Sequence, residues 1–224
     1  MSGLLAFVLG FLLRRYRAIF FALLNMAFSM ILYGVVVKSE ALGSTDGFGV
    51  HKPTFLGYAP EGEAVQTTLF LFALVFTYII TVATHIYLHT TLGSMSMAVR
   101  ENEIRVEYLG YSAEKVIHLK YVFSGLVAGF GGGIMALAVG HVDPDSMANW
   151  TVSGEFVFIT ILSGTGSVAA TYIGALVFEL IRTYAFEYAP HIWQFILGGS
   201  LLAIIMFLPD GIWSLVKRVR KVEA

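Results

Sequence analysis

Apolar residues along this chain come in long unbroken runs, not in the alternation of a half-buried strand. About 20 apolar residues are needed to cross roughly 30 Å of hydrocarbon as a helix. The first run of that length, residues 18–37, carries no charge. Others cover 64–88 and 121–140. A longer apolar region, 151–187, is interrupted at Ser163-Gly164-Thr165-Gly166-Ser167, and the last run, 192–208, stops at Pro209-Asp210-Gly211, a helix-ending turn signal. Residues 1–13 are apolar but too short to span. Arg14, Arg15 and Arg17 follow them instead of preceding them, which is the reverse of a secretory signal. They read as a partial helix, the tail of a longer one or a re-entrant piece.

The polar connections are asymmetric in charge. Arg14, Arg15 and Arg17 precede the first run; Arg100, Arg105, Lys115 and Lys120 follow the second; Lys217, Arg218, Arg220 and Lys221 follow the last. Short loops rich in Lys and Arg stay on the cytoplasmic side, so segment 94–120 and the C-terminus are expected there. The acidic loops, with Glu40, Asp46, Glu61 and Glu63 and then Asp143 and Asp145, are expected outside. The run at 121–140 then leaves the cytoplasm and the last run returns to it, so 151–187 must be a hairpin. Its first arm, Thr151 to Leu162, rises only about 18 Å at 1.5 Å per residue, which puts its Gly/Ser/Thr turn at membrane depth, surrounded by protein. The expected fold class is all-α, a polytopic transmembrane helical bundle with an interrupted helical hairpin, forming one membrane domain over 1–224.

Composition excludes several functions. The chain has 224 residues, 57% hydrophobic and 13% charged, with a mean hydropathy of +0.77. Such a chain has no room for a soluble catalytic domain beside its spans. No Cys is present, which removes disulfides, thiolate metal sites and Cys nucleophiles. Fourteen bases against fifteen acids leave no surplus to neutralise phosphates, so no nucleic-acid partner is expected. No Gly-x-x-x-x-Gly-Lys-Ser/Thr loop occurs, so the chain is not itself a P-loop ATPase, any ATP hydrolysis is expected on a separate subunit, and no enzyme activity is expected of this chain.

Few residues could carry chemistry. Met97 to Leu109 can form a helix with Glu101 and Arg105 as an i,i+4 pair and Ile104, Tyr108 and Tyr111 on one stripe. Gly110 suits its C-cap, and Ser112 suits an N-cap for the next helix. This polar segment reads either as a docking element for a soluble partner or as a solvated connection. Gly125, Gly129 and Gly133 share a helix face and favour close helix packing over phosphate binding. Glu155, Glu179 and Arg182 are ionisable residues at membrane depth. Glu179 and Arg182 can pair at i,i+3, whereas Glu155 has no local partner, leaving it open to a proton-relay role or to a cavity-facing one. His85 and His89 share a face, but a third local ligand is absent, and no metal or other cofactor is expected. Ser153-Gly154 lacks the preceding Gly and the His and Asp of a hydrolase site.

Several segments together resemble the permease subunits of branched-chain amino acid ABC importers, the Liv-type family, and more closely its LivM-like branch. They are Arg14-Arg15-Tyr16-Arg17-Ala18-Ile19-Phe20-Phe21-Ala22, then Met26-Ala27-Phe28; Leu42-Gly43-Ser44-Thr45-Asp46-Gly47; Ala98-Val99-Arg100-Glu101-Asn102-Glu103 with Leu109-Gly110; Gly164-x-Gly166-Ser167 with Gly174-Ala175; and Leu208-Pro209-x-Gly211. The similarity runs from Gly10 to Lys221. Members of the family have further spans before the Arg14 segment, so this chain is expected to correspond to the later two-thirds of a larger permease.

The resemblance implies an ABC importer permease of a bacterial or archaeal plasma (inner) membrane that forms the translocation pathway for leucine, isoleucine, valine or related small amino acids and amides. Its implied partners are two ATP-binding subunits, a second permease subunit, an extracytoplasmic amino-acid-binding protein and membrane lipid. Arg100, Glu101, Asn102, Glu103, Arg105 and Gly110 would belong to the loop that couples to the ATPase. Gly125, Gly129, Gly133, Gly164, Gly166 and Gly174 would serve helix packing and gating, with Glu155 on the pathway. The competing readings are a proton-coupled secondary transporter using Glu155 and a non-transporting truncated fragment.

Overall fold

A computed structural model describes residues 1–51, 63–164, 167–208 and 211–214. The chain divides into two compact units, residues 1–150 and 151–224.

The first unit opens with α1 (Ser2–Leu13) and α2 (Ala18–Lys38). The break between them is set by arginines. Arg17 is extended, and its guanidinium donates to the carbonyl oxygens of Arg14 and, at 3.0 Å, of Tyr16. It thus supplies donors to carbonyls that a continuing helix would have bonded. After α2, a 3-10 turn (Glu40–Leu42) and a glycine-bearing loop lead to β1 (Phe48–Gly49). Gly47 has φ +70, and a Cβ there would run into the backbone of Val142 and Asp143, so only glycine fits. β1 pairs antiparallel with β2 (His141–Val142), Phe48 opposite Val142 and Gly49 opposite His141. That two-stranded patch joins the loop after α2 to the segment at His141–Val142.

α3 (Glu63–His89) and α4 (Thr91–Glu101) are separated at Thr90, whose hydroxyl caps α4 by accepting from Gly93 N–H at 3.3 Å. A short α5 (Glu103–Tyr108) follows, then the long α6 (Ala113–Val139) and α7 (Pro144–Met147). α6 is the hub of the unit, packing against α1, α3, α4 and α5. Ser2 lies beside Gly129, Ala6 beside Gly125 and Gly10 beside Tyr121 and His118, so α1 runs antiparallel to α6. Of the buried apolar residues of this unit, Leu13, Val106, Ala113 and Val116 belong to the basic end, while Ala6 is buried against Gly125. His118 is buried among them, edge-on to Phe7 at 4.9 Å between ring centroids. Away from this end the helices are tied by polar side chains. Tyr121 donates to Asn25 Oδ1 at 2.7 Å, linking α6 to α2, and Tyr33 donates to Asp145.

The second unit contains α8 (Trp150–Ser163), α9 (Val168–Tyr188) and α10 (Trp193–Phe207), packed around Leu162, Phe178, Leu197 and Leu201. Gly174 sits directly on Ser163, where no Cβ would fit. Past α10, the Ile212 N–H donates to the Leu162 carbonyl at 2.9 Å, and Gly211 lies against Gly164.

Among the described residues four helices are long and apolar enough to cross a membrane: Ala18–Lys38, Ala64–His89, Ala113–Val139 and Val168–Tyr188. The expected interruption at residues 163–167 is present between α8 and α9. The arms are unequal, 14 residues against 21, and α10 has 15. Among the described residues of this unit, α9 alone therefore reaches the length of a full span. The third apolar run begins earlier than its hydropathy suggests, because the helix starts at Ala113, eight residues before the run does.

Replacing Gly125 by Ala forces a methyl into Ala6 and should destabilise the chain by about 1–3 kcal/mol, the usual cost of overpacking. Gly133→Ala meets nothing within 4 Å and should be neutral or slightly stabilising. Thermal unfolding of both variants in detergent checks this; equal effects would show that α1 does not rest on Gly125.

Candidate functional site

The structure brings the residues of the Arg100–Gly110 segment together at the basic end of the first unit, but not as one helix. The continuous helix expected over Met97 to Leu109 is broken at Asn102. That residue is extended (φ −159, ψ 102), and its Oδ1 accepts from the Arg105 N–H at 3.0 Å, capping α5 afresh. A free-standing Asn cap outcompetes helix continuation there because Asn is a poor helix former and a strong N-cap. The expected Glu101–Arg105 helical pair is lost with it. Glu101 ends α4, Arg105 lies in α5, and i,i+4 geometry does not apply across the break.

α5 is closed just as firmly at its other end. Tyr111 N–H reaches the Val106 carbonyl at 3.3 Å and Gly110 N–H reaches the Glu107 carbonyl at 2.9 Å, while Gly110 takes φ +84. This is the Schellman arrangement that a left-handed glycine permits. Ser112 then caps α6, accepting from Lys115 N–H at 3.5 Å. Both expected caps are therefore present. Val106 points inward, 1% exposed, and Glu103 anchors the helix start to Arg17, with Arg17 Nε donating to Glu103 Oε2 at 2.8 Å. The other face of the hairpin is bare: Ile104 is 64% exposed, Tyr108 87%, Leu109 66% and Tyr111 46%.

The Arg17–Glu103 pair sets the electrostatics. Its hydrogen bond pulls the Glu103 carboxyl below its ordinary value and pushes the Arg17 guanidinium further up. A second pair, Arg14 to Glu114 at 3.3 Å, links the end of α1 to the start of α6, with Arg14 also lying over the Phe11 ring at 4.1 Å. Neither pairing was visible in the sequence, since Arg17 and Glu103 are 86 positions apart.

Of the glycines singled out for packing, Gly125 and Gly129 lie against α1, Gly133 has open space, and Gly174 lies against Ser163. Gly164 takes φ +80 at the end of α8, and Gly166 lies outside the described residues, as do Pro209, Asp210 and the basic run 217–221. Glu155, without a local partner in the sequence, has a distant one in the second unit: Arg182 Nη1 is 3.4 Å from it and 3.7 Å from Glu179. Sequence spacing reveals only the i,i+3 member of this trio, because the Glu155 contact depends on how α8 packs on α9. The His85 and His89 rings meet edge to face at 4.6 Å, and among the described residues no group of three His, Asp or Glu stands close enough to hold a metal.

The family model for the branched-chain amino acid transport system permease component matches residues 1–205. The chain belongs to this permease family. Among its relatives are the high-affinity branched-chain amino acid transport system permease proteins LivM of Escherichia coli strain K12 and of Salmonella typhimurium strain LT2. Each is 25% identical over an alignment that includes all of this chain and 57% of the relative. The chain thus spans somewhat over half the length of the curated relatives it matches. No solved structure matches it. As a member of the family with four spanning-length helices, it is a multi-pass membrane protein.

Two measurements test the ion pairs of this permease chain. Because the folded-state value of Glu103 is depressed, its contribution to stability is complete above the ordinary carboxylate range, near about pH 4.3, and is lost as pH falls through the lowered value. Arg17 keeps its charge throughout. The difference in melting temperature between the native chain and Glu103→Gln should therefore shrink as pH is lowered from 6 to 3; a constant difference would remove the ion pair as its cause. In the second unit, Arg182→Gln should destabilise more than Glu179→Gln, by roughly 1 kcal/mol for partly exposed charges, because Arg182 serves two carboxylates. Adding Glu155→Gln to Arg182→Gln should recover part of that loss in the same melting assay.

Proposed function

We propose that this chain is a translocation-pathway subunit of an ATP-driven importer for branched-chain amino acids or related small amino acids and amides, coupled through α4, α5 and the turn at Gly110 to separate ATPase subunits. The observation that carries the coupling reading is the bare apolar surface of Ile104, Tyr108, Leu109 and Tyr111 on a helix locked at both ends. Large apolar groups exposed outside the spanning helices are costly in water and mark a docking face. A second permease subunit, a pair of ATP-binding subunits and an extracytoplasmic binding protein complete the assembly, and the basic end of the chain faces the cytoplasm.

The α5 hairpin is held to α1 and α2 by Arg17 and to α6 by the Ser112 cap, so a push on it reaches the spanning helices without being absorbed in a flexible loop. The glycine contacts of α6 with α1, and of α9 with α8, give those helices a surface over which packing can switch between two arrangements. The pairing of Glu155 with Arg182 supports a structural carboxylate and weakens the reading in which Glu155 relays protons.

The test is uptake by the assembled importer in proteoliposomes. Ile104→Ala with Tyr108→Ala should weaken co-purification of the ATPase subunits and lower ATP-dependent leucine uptake at least tenfold, while leaving the melting temperature of the chain nearly unchanged. Undiminished association and uptake would dismiss α5 as the coupling element. Uptake that persists without ATP and collapses with the proton gradient would dismiss the importer reading itself.

A further inference from the structure

At the start of α2 the first unit holds a cavity of about 470 Å³ between α2, α4 and α6. Its walls divide by chemistry. Phe21 and Ile117 contribute apolar surface, and Arg17, Arg100, Lys120 and Ser124 contribute cationic and hydroxyl groups. Arg17 is already neutralised by Glu103. Arg100 and Lys120 are exposed, and the ion pairs recorded among the described residues all belong to other cations, so two positive charges border the cavity without a carboxylate. This is an unbalanced cationic mouth on a mainly apolar chamber, at the point where the uncharged run of α2 begins and the chain passes from water into hydrocarbon.

We propose that this cavity binds an anionic phospholipid, its phosphate at Arg100 and Lys120 and its glycerol and upper acyl carbons against Phe21 and Ile117. Basic pockets between spanning helices at the membrane border suit such headgroups. The shared chemistry with free phosphate is the anion itself, and size and wall polarity separate the two. A volume of about 470 Å³ lies in the ~300–1,000 Å³ range of ligand pockets and far exceeds what a small inorganic ion fills. An apolar lining adds nothing to the binding of an ion, whereas it buries the carbons next to a lipid phosphate. The cavity also touches α4 through Arg100, next to the Asn102 break, so an occupied site would brace the helix that leads into α5.

The test is native mass spectrometry of the full chain released from detergent after incubation with phosphatidylglycerol, phosphatidylcholine or inorganic phosphate. One phosphatidylglycerol should be retained in preference to phosphatidylcholine, and a hundredfold excess of inorganic phosphate should not displace it. Arg100→Gln and Lys120→Gln should each weaken retention about fivefold, as expected for one charge at a lipid surface. Arg100→Lys should restore most of it, and Arg15→Gln, which removes a border charge outside the cavity, should have no such effect. Displacement by inorganic phosphate would make the site one for free anions and overturn the lipid assignment. Equal retention of both lipids, or a loss in Arg15→Gln as large as in Arg100→Gln, would overturn the site altogether.

Discussion

Close approach between α1 and α6 is the constraint on which the first unit depends. In hydrocarbon no water is released when two apolar helices meet, so attraction comes from van der Waals contact at short range and from polar groups that find each other. Gly125 and Gly129 let Ala6 and Ser2 lie on the backbone of α6 with nothing between. Once α1 is seated, its C-terminal arginines fall where Glu114 and Glu103 stand, and Leu13 enters the buried cluster with Val106 and Ala113. The position of α5, and with it the exposed apolar face, therefore follows from packing decided at Gly125 and Gly129, farther along α6.

The basic border of the unit does three things with the same few side chains. Arg17 satisfies carbonyls left by the end of α1, holds Glu103 and helps to line the cavity at the foot of α2. Because one guanidinium presents several donors in a fixed fork, a lysine could not replace it. Membrane-border arginines are usually explained by orientation alone. Here one of them also carries the mechanical link between a spanning helix and the surface hairpin.

Much of this fold was legible in the sequence, since run length, charge asymmetry and the interruption at residues 163–167 are properties of local composition. The caps at Gly110 and Ser112 were equally readable because capping acts within four residues. What the sequence did not disclose is of two kinds. Asn102 reads by periodicity as a residue within a helix, although Asn is a strong cap and stands directly before the acidic Glu103, the usual first-turn pattern. The pairings of Arg17 with Glu103, Glu155 with Arg182 and Tyr121 with Asn25 depend on which helix faces meet, and one chain's periodicity gives faces without naming their neighbours. The family signatures were legible as words before their physics was. Gly47 in the Leu42–Gly47 stretch proves to be where backbone from the loop after α6 comes too near for any side chain.

The backbone bond from Ile212 to Leu162 fixes the second unit in a way that the side-chain cluster does not. Apolar side chains can slip past one another by a turn and find equivalent contacts, but a single amide has one carbonyl to meet. A piston-like stroke of α10 along α8 would strip that amide, whereas a tilt pivoting about it would not. Any rearrangement of these helices that keeps the bond is therefore constrained where Ile212 meets Leu162.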